Sequence, residues 1–285
     1  MPATDLTSLP GASGELAGEL VAALELARAA GVEVMKLRGG ELGVEMKLGN
    51  EPVTVADKRA SELIVAGLKA RFPHDPIVSE EVPTTEATLA AQRIWLVDPI
   101  DGTKDFIRGS DGFSVMIGLA RGGRPVLGVV HQPALDRTFF ATPDGGAHVL
   151  AADGVQPLAV SDVALASDAR LVASASHRSA DIDRVKQTLG IANEQNVGSV
   201  GVKLCLIAMG VRDLYVNPAT KTKVWDTCGP EAILTRAGGT LSDLFGDPID
   251  YGELRQPRGL VASNGRVHAE VIAKLSPLFE PLRAK

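Results

Sequence analysis

The sequence predicts a layered α/β protein whose two halves are built differently. Five short β-like runs fall within residues 76–142, with turn signals between them and spacings short enough for antiparallel hairpins. Beyond about residue 170, strand-like and helix-like pieces alternate instead. Composition agrees with a sizeable core, because hydrophobic residues make up 45% of the 285 positions while aromatics make up only 4%.

The elements follow in order. Residues 1–13 are polar with Gly and Pro and read as a loose end. Leu16, Leu20, Leu24 and Ala27 recur at helical spacing, which predicts a helix over 14–37 that Gly39-Gly40 stops. A second helix is predicted over 56–71, with Leu63, Ile64 and Leu68 on one face and Pro73 beyond its end. The strand-like runs are 76–80, 93–98, 113–120, 125–132 and 137–142, and "GGRP" at 122–125 reads as a hairpin turn. A polar stretch near 151–168 separates the halves. "RLVASAS" then reads as a strand, with helices at 180–189, 200–210, 226–237 and 266–279 and strands at 213–217, 239–244 and 258–263. The chain is expected to be one domain, 1–285, in two lobes, 14–150 and 155–285.

Charge and cysteines exclude several function classes. The net charge is −6, with no basic stripe, so a nucleic-acid polymer is not an expected partner. Cys205 and Cys228 make neither a disulfide framework nor a zinc ribbon, which fits a reducing cytoplasm. "MPATDLTSLPGASGEL" has neither the basic nor the apolar region of a signal peptide. No apolar run approaches the ~20 residues of a membrane helix.

The chemistry concentrates in "RIWLVDPIDGTKDF", 93–106. An apolar strand is read as ending at Asp98, and Asp101 follows in a turn shaped by Pro99 and Gly102. Two carboxylates so close to the core repel each other unless a cation sits between them, and carboxylate and carbonyl oxygens suit a hard one such as Mg²⁺. A calcium loop starting at Asp98 fails, because Ile100, Gly102 and Thr103 stand where it needs two oxygen ligands and a Gly. No phosphate-binding G-x-x-x-x-G-K-[ST] loop occurs. In "IVSEEV", Glu80 and Glu81 close another β-like run, and alternation would send at most one of them into a shared site. In "KVWDTCGPEAIL", Gly229-Pro230 reads as the cap and first turn of a helix, which would leave Asp226 ahead of it as a placed ligand. Asp57, at the front of the second helix, reads alone as a cap-region residue. "SASHRS", 174–179, reads alone as a polar turn.

Taken together, "VTVADKRASE" (53–62), "SEE" (79–81), "WLVDPIDGTKDF" (95–106) and "WDTCGPEAIL" (225–234) resemble the lithium-sensitive, Mg²⁺-dependent phosphomonoesterase superfamily of inositol monophosphatases. The resemblance spans nearly the whole chain, in order. It implies an α-β-α-β-α sandwich with one mostly antiparallel sheet per half and the site between them. Lys104 before an acidic residue, "WDTCGPE" and "SASHRS" lean toward its 3′(2′),5′-bisphosphate nucleotidase branch, although Ala175 stands where that branch usually has Arg.

The resemblance also assigns roles. Glu80, Asp98 and the Ile100 carbonyl would hold one Mg²⁺, Asp98, Asp101 and Asp226 a second, and a third would sit near Asp57 and Glu80. Thr103 and Asp57 would orient or deprotonate the attacking water. Backbone amides of Gly102 and Thr103 would hold the transferring phosphoryl group. Ser176 and His177 would take the second phosphate, while Gly201 and Lys203 at the start of a helix, together with Asp226, would meet the rest of the substrate. The implied activity is removal of the 3′(2′)-phosphate of 3′-phosphoadenosine 5′-phosphate, with inositol 1-phosphate or a sugar phosphate as the alternative substrate. Li⁺ is expected to inhibit. The expected partner is a small phosphorylated substrate, with no membrane, and a homodimer is left open.

Overall fold

The computed structural model describes residues 5–40, 42–47, 51–176 and 178–284, with the backbone alone at 86 and 87. Helix α1 (Ala17–Leu37) leads to a short antiparallel pair, β1 (Glu45–Met46) and β2 (Pro52–Val53), and then to α2 (Val55–Arg71). A seven-stranded sheet follows in chain order: β3 (Ile77–Ser79), β4 (Arg93–Asp101), β5 (Ser114–Arg121), β6 (Arg124–Gln132), β7 (Arg137–Thr142), β8 (Gly146–Ala151) and β9 (Gly154–Pro157). The short helices α3 (Glu86–Leu89) and α4 (Thr103–Ile107) lie in its connections. The second half contributes β10 (Leu171–Ser174), α5 (Ala180–Leu189), β11 (Glu194–Val197), α6 (Val200–Ala208), β12 (Leu214–Asn217), α7 (Val224–Arg236), β13 (Thr240–Ser242), β14 (Leu260–Ser263) and α8 (His268–Leu275). Its five strands are ordered β11-β10-β12-β14-β13.

Three apolar clusters show how these parts stack. Leu20, Leu24 and Ala27 of α1 and Ile64 and Leu68 of α2 pack on one face of the first sheet, against residues such as Trp95 and Ile117. Met116 and Val130 on its other face join Val202 and Leu204 of α6, Ile233 of α7, and Tyr215 and Leu260 of the second sheet. Ile182, Val185 and Val271, from α5 and α8, cover the far face of that sheet against Leu171 and Val216. The layers are therefore α1–α2, sheet, α6–α7, sheet, α5–α8, the five-layer sandwich expected.

The structure corrects several expectations. The second sheet is not mostly antiparallel: β10 pairs in parallel with both β11 and β12, and only β14 pairs antiparallel, with β12 and β13. The intervening α5 and α6 are crossovers long enough to return the chain in the same direction. Strand β4 does not stop at Asp98 but runs to Asp101, with a shift in register against β5 between those two residues. A bulge adds unpaired residues to one strand and re-aims its side chains, and Pro99, without an N–H to donate, suits one. The "GGRP" turn is a two-residue β5–β6 hairpin, with Gly122 and Gly123 at φ 58° and 70°, as such a turn requires.

The start of β12 is pinned by a buried ion pair. Asp213, fully buried, accepts from the Arg170 Nε and backbone N–H at 2.7 Å each, and also from the Ser161 hydroxyl. Burial alone would raise its pKa, but Arg170 and Ser161 together hold it below the usual carboxylate value. Its contribution is therefore present above the unfolded pKa of 3.8 and lost as pH falls through the lower folded value. Asp213→Ala is expected to cost about 3 kcal/mol at pH 7, the low end for breaking a buried pair because Arg170 keeps access to water. Urea unfolding at pH 7 and at pH 3.5 checks this, and the cost should shrink at the lower pH.

Candidate active site

A cavity of about 410 Å³ opens where the first sheet, α6, α7 and the end of β12 converge. Its acidic floor comes from three places. The β4 bulge supplies Asp98 and Asp101, the residue after β3 supplies Glu80, and the first turn of α7 supplies Asp226. Gly102 and Thr103 continue the floor from β4 into α4. Gly102 stands at φ 93°, and a Cβ there would come within 2.9 Å of the Gly112 carbonyl, so this corner requires glycine.

Asp98 is 2% exposed, and its Oδ1 has no hydrogen-bond partner among the described residues. Burial, then the charges of Glu80, Asp101 and Asp226, push its pKa well above the carboxylate range. Asp226 is raised in the same way, by burial and then Asp101. Burial outweighs the contacts of Asp101 with Lys203, Ser199 and Gly201, so it too is raised. Glu80 is pushed up to about 7 by burial, although Lys47 pulls the other way. Mutually repelling carboxylates with an unpartnered buried oxygen, all of them hard donors, fit a divalent cation. Among the described residues no three of them are drawn in to cation-ligand spacing.

Folding against raised carboxylates has a signed consequence. These groups hold protons in the folded state that the unfolded chain releases, so their stability is full below the unfolded values, 4.5 for Glu80 and 3.8 for the Asp side chains, and is lost as pH rises through the folded ones. The gain in Tm from adding Mg²⁺ to chelator-treated protein is expected to grow between about pH 5 and pH 8. Differential scanning calorimetry at several pH values measures it, and a gain that is flat with pH would contradict the carboxylate cluster as its source.

Asp57 and Asp226 each satisfy a bland and a chemical reading at once. In α2, Asp57 Oδ2 accepts from the Thr54 N–H at 2.7 Å and from the Thr54 hydroxyl, closing a capping box. Its other oxygen lies 3.1 Å from Thr103 Oγ1, which is also 3.0 Å from the Ile100 carbonyl. Asp226 sits at the equivalent third position of α7 and accepts from the Lys223 N–H at 2.8 Å. The helix thus starts before Asp226 rather than at Gly229-Pro230, which lie within it.

Of the two glutamates only Glu80 lines the cavity, as expected, although strand β3 ends at Ser79 and both Glu80, at 2.9 Å, and Glu81 meet Lys47 Nζ. One further expectation changes. The start of α6 is not free to bind an anion. Asp101 Oδ2 accepts from the Gly201 N–H at 2.8 Å and from Ser199 Oγ, and Lys203 Nζ donates to the Gly198 and Val197 carbonyls at 2.6 and 3.2 Å. The helix dipole supports a carboxylate there. Burial lowers the Lys203 pKa to about 8, opposed by Asp101, Asp105 and Asp226. Ser176 lines the cavity, and His177 lies outside the described residues. Sequence reasoning missed Lys47, Tyr215, Lys221 and Lys223, all in the cavity wall. Lys47 follows a two-residue strand in a polar stretch, and nothing local marks it.

The profile of the inositol monophosphatase family matches residues 16–278. The chain is 36% identical over 230 residues to the 3′(2′),5′-bisphosphate nucleotidase CysQ of Escherichia coli (strain K12), covering 80% of this chain and 91% of that protein. Among solved structures, an IMPase from Thermotoga maritima aligns with a TM-score of 0.79 at 26% identity, covering 93% of this chain and 99% of the other. CysQ from Bacteroides thetaiotaomicron aligns with a TM-score of 0.73 at 27% identity, covering 87% and 98%. Fold and relatives together define a phosphoric monoester hydrolase. The chain belongs to the inositol monophosphatase family.

Proposed function

We propose that the protein is a Mg²⁺-dependent 3′(2′),5′-bisphosphate nucleotidase, converting 3′-phosphoadenosine 5′-phosphate to AMP and phosphate. The observation that carries the metal chemistry is the unpartnered Asp98 oxygen in a floor of buried, mutually repelling carboxylates. The nucleotide substrate is supported by similarity to the bisphosphate nucleotidases CysQ over most of both chains.

Glu80, Asp98, Asp101, Asp226 and the Ile100 carbonyl would hold two or three Mg²⁺ ions. When bound, the ions supply positive charge to the phosphoryl oxygens and acidify water. The chain's own residues then position and move a proton. Asp57 Oδ1 sits beside Thr103 Oγ1, and Thr103 has one proton to give. As that proton passes to Asp57, the Thr103 oxygen accepts one from the attacking water. Burial raises the Asp57 pKa and makes it the stronger base. The water oxygen forms the new bond to phosphorus, the bond to the 3′ oxygen breaks, that oxygen takes a proton from solvent water as it leaves, and Asp57 then returns its proton to solvent. The Gly102 and Thr103 amides, at the turn into α4, would steady the phosphoryl oxygens.

Initial rates on 3′-phosphoadenosine 5′-phosphate and inositol 1-phosphate, each with Mg²⁺, test the reading. A higher kcat/KM for the nucleotide is expected. A clear preference for inositol 1-phosphate would overturn the nucleotidase assignment and leave a phosphatase of the second kind. Li⁺ is expected to inhibit either activity.

A further inference from the structure

The cationic side chains near the second-sheet wall of the cavity are not equivalent. Arg178, in the polar turn after β10, is spent on Glu194 at 2.6 Å and on Asp183 at 2.5 Å. Lys203 is buried and committed to two backbone carbonyls. Arg108, the residue after α4, differs. It is exposed and forms no ion pair among the described residues, and its Nη1 lies 3.4 Å from the Ser176 hydroxyl at the cavity wall.

The hydroxyl of Ser176 fixes what each partner can do. Its Oγ donates its one proton to Asp105 Oδ2 at 3.0 Å, and a lone pair then accepts from Arg108. Ser176 keeps no proton for a phosphate, whereas the guanidinium keeps most of its donors. Asp105 itself is held in place. It is 7% exposed, takes the Ser110 hydroxyl at 2.8 Å, and is boxed by glycines, since a Cβ at Gly198 would fall 2.1 Å from its Oδ2. Lys104 lines the cavity one helical turn before Arg108, on the same side of the chain. Thr103, Lys104 and Asp105 line the cavity, and Arg108 follows them in the same short segment, within reach of Ser176 at the cavity wall.

We propose that Arg108 is a specificity-determining residue that receives the non-scissile phosphate of the substrate, and that Asp105 and Ser176 are positioning residues that aim its guanidinium. A planar, permanently charged fork suits a terminal phosphate dianion. This inference rests on the nucleotidase reading.

The test compares 3′-phosphoadenosine 5′-phosphate with 3′-AMP, which lacks only the 5′-phosphate. In Arg108→Ala, the preference for the bisphosphate, as a ratio of kcat/KM values, is expected to fall about 10- to 100-fold, the value of a hydrogen bond to a charged group. The loss should lie in KM, with kcat on 3′-AMP unchanged. Arg108→Lys should recover part of the preference. Ser176→Ala should lose a smaller share, and Ser176→Ala with Arg108→Ala should lose no more than Arg108→Ala alone. An unchanged ratio in Arg108→Ala, equal losses on both substrates, or a loss carried by Lys221→Ala instead would each overturn the inference while leaving the nucleotidase reading intact. A wild-type enzyme that cleaves inositol 1-phosphate but neither nucleotide would overturn both.

Discussion

Asp98→Asn is expected to remove nearly all Mg²⁺-dependent phosphate release while making the cation-free protein more stable. The two effects have one cause. Asp98 is buried at the centre of the carboxylate floor, with Glu80, Asp101 and Asp226 all raising its pKa. At neutral pH without a cation, the fold must either ionise this group against its neighbours or hold a proton that the unfolded chain would release. An amide of the same shape escapes that choice. The variant also gives up one of the charges that would anchor the ions, and ions of this kind are worth several kcal/mol of transition-state stabilisation. At about 1.36 kcal/mol per decade, the expected fall in rate is about 10³-fold. Calorimetry in chelator should show a higher Tm than wild type, and added Mg²⁺ should raise it much less. A rate within tenfold of wild type would remove Asp98 from the proposed site. A lower Tm in chelator would mean that its carboxylate is satisfied by contacts other than those described.

How much of this was legible in the sequence depends on whether local chemistry or distant partners set each feature. Helices α1 and α2, strands β4 to β7 and the β5–β6 hairpin follow from apolar spacing and paired glycines, and all lie close to where they were expected. Strands β9 and β11 were missed because they are sheet edges with largely exposed, polar residues, "GVQP" and "EQNV", which leave no apolar alternation to see. The carboxylates of the site were legible because each breaks a local rule, with charge at the end of a buried strand or beside an apolar helix start. The use of α6 was not. "GSVGVK" looks like an open anion site until Asp101, far away in sequence, takes its amide. Lys47 was invisible for the same reason: only the fold brings it to Glu80 and Glu81. The start of α7 was misread because Gly229-Pro230 carries a helix-start signal, while Gly229 serves a different purpose inside the helix.

That purpose makes Gly128→Ala a severe substitution. Helix α7 lies on β5 and β6 at backbone contact. A Cβ at Gly128 would stand 2.0 Å from the Gly229 carbonyl oxygen and 2.8 Å from its carbon, and one at Gly118 would stand 2.6 Å from the Gly229 nitrogen. Gly229 in turn faces the Ile117 carbonyl, where its own Cβ would come within 3.1 Å. None of these neighbours is a flexible side-chain end, so the new methyl group can be accommodated only if the helix moves off the sheet. Overpacking of this kind costs about 3 kcal/mol. At roughly 2–4 °C per kcal/mol for a chain of this size class, Tm should fall by about 6–12 °C. The loss should also reach the chemistry, because Asp226 stands one turn before Gly229 on the same helix and lines the cavity. A displacement of an ångström at such a group is worth about 10²-fold in rate. Gly18→Ala provides the contrast. Gly18 lies in the first turn of α1, with nothing within 4 Å of an added Cβ, so the gain in helix propensity should leave Tm equal or slightly higher. If Gly128→Ala behaved like Gly18→Ala in both Tm and phosphate release, helix α7 would not be held against the sheet by backbone contact, and the seat of Asp226 would have to be sought in its capping contact with Lys223 alone.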